Sequence, residues 1–147
     1  MKIAHNIKLR VFCREGDDEN KILGALHKLV EADFKKIDFK AENAELFEDK
    51  KMKIFTIILK KNKNMRRFIE NIFRGFNEEQ KNLLRRQIES RLDSDLHFFI
   101  RLDKPKLLDG EFWVTDSGNC FHIDICIAAY PHKREVAREI VEMMLDS

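Results

Sequence analysis

The sequence predicts a single α+β domain spanning residues 1–147, with an antiparallel or mixed sheet packed by helices. Three observations carry that expectation. Period-two alternation recurs early and late in the chain, amphipathic runs at helical spacing lie between, and no linker, repeat or low-complexity segment divides them. The length, 147 residues, also suits one core that needs neither disulfides nor a structural metal.

Ile7, Leu9, Val11 and Cys13 alternate with Asn6, Lys8, Arg10 and Phe12, the period of a half-buried strand. Gly16, Asp17 and Asp18 offer a turn and a helix N-cap, after which Ile22, Leu23, Leu26, Leu29 and Val30 repeat at helical spacing. From Phe34 to Asp49 the pattern is poor: Ile37 and Phe39 hint at a short strand, and the acidic remainder reads as loop. Met52 to Lys61 is rich in β-formers and too continuously apolar for one wet face, so an interior strand is expected. Asn64 can cap a helix with the stripe Met65, Phe68, Ile69, Ile72 and Phe73, and Gly75 is placed as its C′ residue. Asn77 and Gln80 then open a second helix at capping-box spacing, continued by Leu83, Leu84, Ile88 and Leu92, so the pair forms a helical hairpin.

Leu96, Phe98, Ile100 and Leu102 alternate with His97, Phe99, Arg101 and Asp103 in another strand. Phe112 to Thr115 and Cys120 to Tyr130 flank Asp116-Ser117-Gly118-Asn119, a spacing that suits a hairpin. Pro131 can sit in the first turn of a last helix made amphipathic by Val136, Ala137, Ile140, Val141, Met144 and Leu145. The expected order is roughly β-α-β-α-α-β-β-β-α.

Composition removes several function classes. Hydrophobic residues at 44% argue against a disordered chain, and no apolar stretch approaches the roughly 20 residues of a membrane span. The first residues lack the apolar block of a secretory signal, so a cytoplasmic protein without a membrane partner is expected. Three cysteines without CxxC spacing fit small buried hydrophobes in a reducing compartment. Glycine-rich phosphate cradles, zinc-hydrolase motifs, calcium loops and the nucleophile elbow do not occur. His122 and Asp124 share a strand face and with His97 could hold a metal, and paired histidines with a lysine could run metal-free acid–base cleavage of RNA, but nothing in the spacing compels either. The expectation is no catalytic residue, no metal, no cofactor and no enzyme activity.

Net charge is only +2, yet the charge is segregated. Lys50 to Arg74 holds nine basic residues against Glu70 alone, a local charge of +8. Within it, Lys60, Lys63, Arg66 and Arg67 close a strand and open a helix, where cations are mildly unfavourable with the helix dipole and an anionic partner would relieve them. A second cluster is Arg101, Lys104 and Lys106, and a third is Lys133 and Arg134 beside His132. Phe12 and Phe99 fall on the polar phase of their strands beside Arg10 and Arg101, where they would either pack under helices or offer a ring to a single-stranded base.

Leu9-Arg10-Val11-Phe12-Cys13 before an acidic turn, Arg101-Leu102-Asp103-Lys104 with Gly110-Glu111, and Ala128-Ala129-Tyr130-Pro131 together resemble an archaeal family described as RNA-binding proteins or predicted exosome subunits. The resemblance covers almost the whole chain. It implies a fold similar to the large-subunit ribosomal protein that binds the small ribosomal RNA of that subunit, and it brings no catalytic residues. The functional expectation is an RNA-binding accessory protein associated with RNA processing or degradation. Its phosphate contacts would come from Arg10, Lys60, Lys63, Arg66, Arg67, Arg101, Lys104, Lys106, Lys133 and Arg134, with bases stacked on Phe12 or Phe99. The alternative is a protein-interaction subunit of an RNA-processing complex, or a homodimer, that binds no RNA itself.

Overall fold

The computed structural model describes residues 2–45 and 50–146. Five strands, β1 (Ala4–Arg14), β2 (Asp38–Glu45), β3 (Lys51–Leu59), β4 (His97–Asp103) and β5 (Cys120–Ile127), form one sheet in the order β2-β3-β1-β5-β4. Every neighbouring pair is antiparallel. The helices are α1 (Glu19–Val30), α2 (Asn62–Gly75), α3 (Glu78–Arg86), α4 (Ile88–Arg91), α5 (Lys104–Leu108) and α6 (Arg134–Asp146). The α+β class and antiparallel sheet expected from the sequence are therefore present.

Alternation decides which way each strand faces. Ile7, Leu9 and Val11 on β1 pair with Leu59, Ile57 and Phe55 on β3, and Phe98, Ile100 and Leu102 on β4 pair with Ile125, Ile123 and Phe121 on β5. All are buried, and they share one core with Ile22, Leu26 and Leu29 of α1, Phe68, Ile72 and Phe73 of α2, and Val141 and Leu145 of α6. Completely burying such side chains is worth about 1.5–3 kcal/mol each. The opposite phase carries Lys8, Arg10 and Phe12, His97, Phe99 and Arg101, and His122 and Asp124, none of them buried. The helices thus cover one face and leave the other open.

Several local expectations hold and several change. Asp18 caps α1 by accepting from the Lys21 N–H, and Asn77 caps α3 by accepting from the Gln80 N–H at 2.9 Å. Gln80 does not complete a capping box; its buried side chain accepts from the Val114 N–H at 2.7 Å instead. The stretch expected as loop after Phe39 is β2, an edge strand whose exposed polar residues hide its period, while residues 46–49 lie outside the described residues. β3 is interior by its place in the sheet, yet Ile54, Thr56 and Ile58 stay half-exposed because no layer covers that face.

Phe112 to Thr115 does not pair with β5. It bridges the outer edge of β4, where Asp103 and Thr115 donate to the Trp113 and Arg101 carbonyls, so the edge is occupied by a loop. α2 begins at Asn62, before the expected Asn64. Gly75 is its last residue rather than a left-handed C′ glycine, and what it provides is room: a Cβ there would fall 2.3 Å from the Phe112 ring. Pro131 precedes α6, which starts at Arg134, and β5 stops at Ile127 instead of Tyr130.

Candidate nucleic-acid interface

Strand register assembles the open face. Lys40 pairs with Thr56, Thr56 with Arg10, Arg10 with His122, and His122 with Arg101. This row crosses all five strands without a carboxylate, and at about 4.8 Å between strands it spans roughly 19 Å. The adjacent row runs Asp38, Ile58, Lys8, Asp124 and Phe99. Its two acids are engaged: Asp38 faces Lys60 at 3.8 Å, and Asp124 Oδ1 lies 2.6 Å from His97 Nδ1. Phe12 pairs with Ile54 on the other side of the basic row.

The aromatic groups lie among these charges. Phe99 sits between His97 and His122, with ring centroids 6.1 and 5.6 Å away. Burial first, and then the Arg101 charge, hold His122 below the ordinary imidazole range; Asp124 opposes this, and Arg10 and Lys8 add to it. The Arg101, Arg10 and Lys8 charges that add to burial here are the kind a polyanion meets.

The clusters read from the sequence do not all converge. β3 and β5 both run antiparallel to β1, so they deliver the residues after Leu59 and Ile127 to one end of the sheet; β4 delivers Asp103 to the other. Lys60, Lys63, Arg66, Lys133 and Arg134 therefore belong to one end, and Arg101, Lys104 and Lys106 to the opposite half. Lys60, Lys63, Arg66 and Lys133 are exposed, whereas Arg67 is half-buried and donates to the Glu31 carbonyl at 3.1 Å, tying α2 to the end of α1.

One nominated cation is corrected by its surroundings, and another is exposed but already engaged. Lys104 is 3% exposed, and its ammonium donates to the Phe12 carbonyl at 2.6 Å and to Asp17 at 3.3 Å, so it cannot meet a solvent-borne phosphate. Arg134 donates to the Leu92 and Glu89 carbonyls, each at 2.8 Å, and to the Glu89 carboxylate; it closes the end of α4. Lys106 is exposed at 3.5 Å from Glu111 and lies over the Trp113 ring.

Arg10, Arg101, Phe12 and Phe99 are brought together on the open face, neither ring being packed under a helix. Sequence reasoning missed Lys8, Lys40, His122 and Arg91 as partners of this group. Lys8 shares the phase of Arg10 and was legible on that ground. Lys40 was hidden in the stretch expected as loop, and Arg91 reaches the face from α4, with its Nη1 3.4 Å from the Phe99 carbonyl. Among the described residues no cluster of three metal-ligating side chains occurs, and no helix is long and apolar enough to cross a membrane.

Comparison with known proteins gives this surface its context. An RNA-binding protein of Pyrococcus abyssi, PAB1135, is 29% identical over 145 residues, covering 97% of this chain and 94% of its own. The structure of Mth689, a DUF54 protein from Methanothermobacter thermautotrophicus, superposes with a TM-score of 0.79 at 28% identity, covering 97% of this chain and 98% of its own. AF2318 from Archaeoglobus fulgidus shares the fold, with a TM-score of 0.82 at 20% identity and coverage of 96% and 99%. A family model described as RNA binding matches residues 6–128, from within the basic strand β1 to just past the end of β5, and the chain belongs to that RNA-binding family.

Proposed function

We propose that the chain binds single-stranded RNA across the open face of its sheet, with phosphates on Lys8, Arg10, Lys40 and Arg101 and bases on Phe12 and Phe99. The observation that carries this reading is the acid-free row Lys40-Thr56-Arg10-His122-Arg101, flanked by two half-exposed aromatic rings. Unstacked bases present π-faces to such rings, and a row of cations across a sheet follows a backbone without reading sequence. Lys60, Lys63, Arg66 and Lys133 extend the basic surface at one end of the sheet. In this reading the chain holds RNA and does not cut it. Association with RNA-processing or RNA-degrading machinery, and a likeness to the ribosomal protein, rest on the family resemblance alone.

Fluorescence anisotropy of labelled single-stranded and duplex RNAs at several salt concentrations tests the reading, with Lys8→Gln/Arg10→Gln compared to the parent chain. Two phosphate contacts removed from a single strand should flatten the log–log salt slope by about 1.4 and weaken binding at every sequence tried. An unchanged slope in that variant, with a loss in Lys63→Gln/Arg66→Gln, would move the site to the start of α2. Failure to bind any RNA at low salt would favour the protein-interaction reading, and the appearance of cleaved RNA would overturn the non-catalytic one.

A further inference from the structure

The open face does not end flat at β4. α4 and the turn at Asp116 rise beside it and border an open hollow of about 590 Å³ lined by Gln87, Arg91, Phe99, Arg101, Asp116 and His122. That volume lies in the range of small-ligand sites. Its chemistry is unbalanced. The Arg91 side chain is 10% exposed; Nε donates to Gln87 Oε1 at 2.8 Å, Nη1 to the Phe99 carbonyl at 3.4 Å, and Nη2 to Asp116 Oδ1 at 3.4 Å. Arg101 Nη1 donates to the Asp116 carbonyl at 3.1 Å. Burial above all, with Arg101 adding its charge, disfavours the charged form of Arg91, and Asp116 opposes both.

Asp116 is a weak counterion for this task. Its carboxylate is 92% exposed and makes one long contact, whereas charge-assisted pairs between guanidinium and carboxylate close to about 2.7–2.9 Å and often engage two oxygens. A buried guanidinium beside a second guanidinium and a positively surrounded His122 is thus left with a solvated partner that water can hold equally well. A phosphate offers more oxygens and more charge to the same donors. Phe99, in contact with His97 and His122, supplies an aromatic wall within the same hollow.

We propose that this hollow is a one-nucleotide pocket of the RNA-binding face, taking a base against Phe99 and its phosphate between Arg101 and Arg91, the guanidinium that the Asp116 carboxylate now meets. The inference rests on the reading of the open face as an RNA surface and adds to it a defined site with a defined competitor. Asp116 acts as an internal anion that the phosphate displaces, so removing its charge should help binding, the reverse of what loss of a structural ion pair would do.

The experiment is NMR titration of the full chain with adenosine 5′-monophosphate, adenosine and inorganic phosphate, following the His122 ring and the Arg91 and Arg101 Nε–H signals. Asp116→Asn keeps the backbone carbonyl used by Arg101, and should tighten the mononucleotide by about fivefold, the effect of deleting one like charge about 4 Å away in a water-like dielectric. Phe99→Ala should weaken the mononucleotide more than inorganic phosphate, and Arg101→Gln should weaken both. A mononucleotide that leaves these signals unmoved, or an Asp116→Asn variant that binds it no better, overturns the pocket. Oligonucleotide binding that depends on Lys8 and Arg10 but ignores Asp116→Asn overturns the pocket and leaves the open face standing. Mononucleotide binding with the expected variant pattern, in a chain that binds no oligonucleotide, retains the pocket and overturns the face.

Discussion

Replacing Lys104 with methionine separates a surface contact from an internal strut. The ammonium lies 2.6 Å from the Phe12 carbonyl and 3.3 Å from Asp17 Oδ2, with the Lys104 side chain 4% exposed and Asp17 about one-third exposed. A hydrogen bond to a charged group contributes about 1.5–3 kcal/mol, and its loss leaves the Phe12 carbonyl without this donor. Methionine preserves most of the stem packing. Asp17 keeps the Arg14 N–H at 2.9 Å and is open to water, so the variant does not strand a buried charge, and the roughly 3–5 kcal/mol cost of breaking a fully buried pair does not apply. The expected loss is about 2 kcal/mol, a fall in Tm of about 4–8 °C for a domain of this size.

Urea unfolding and thermal melts measure that loss, and RNA anisotropy under folding conditions should change little. Unaltered stability together with weakened RNA binding would refute the assignment and return Lys104 to the phosphate-binding set. The pH dependence gives a second check. Burial alone would raise the Asp17 pKa, but the Arg14 N–H and the Lys104 ammonium outweigh it and hold the carboxyl below its ordinary 3.8. The stability it contributes is present above that value and is lost as pH falls through the lower folded-state pKa. In Lys104→Met this acid limb should shrink.

Gly75→Ala places a methyl 2.3 to 2.8 Å from three atoms of the Phe112 ring, so the ring must move. Overpacking costs about 1–3 kcal/mol and should outweigh the alanine gain of at most about 1 kcal/mol at the last helical position; a raised Tm would show that Phe112 yields freely. His122 should titrate below 6.5 by NMR, held down first by burial, and should move upward in Arg101→Gln, since Arg101 is the leading charge that adds to burial, with Arg10 and Lys8 adding and Asp124 opposing. Because its folded-state pKa is lowered, His122 should cost stability as pH falls from about 6.5 through the folded value, and a midpoint at or above 6.5 would contradict the combined effect of its burial and the Arg101 charge.

What the sequence determined by itself is the class of fold and the strands and helices with strong periods. The alternation at Ile7 to Cys13 and Leu96 to Leu102 fixes which side chains enter the core, because strand geometry sends successive residues to opposite faces. The stripe of α2 and the caps at Asp18 and Asn77 are equally local. Arg10, Phe12, Phe99 and Arg101 were legible as the polar phase of their strands for the same reason.

What only the tertiary structure decided is which of those residues share a surface and which charges are free to use it. Strand order is set by long-range pairing, so the row linking Lys40 to Arg101 has no trace in sequence spacing. An edge strand such as β2 is wetted on most of its residues and loses the alternation that reveals a buried one. Lysine and arginine look alike in sequence whether they face water or backbone carbonyls, so Lys104 was indistinguishable from a surface cation until its partner, 92 residues away, was in place, and nothing local showed that the exposed Arg134 is held by carbonyls 42 to 45 residues away.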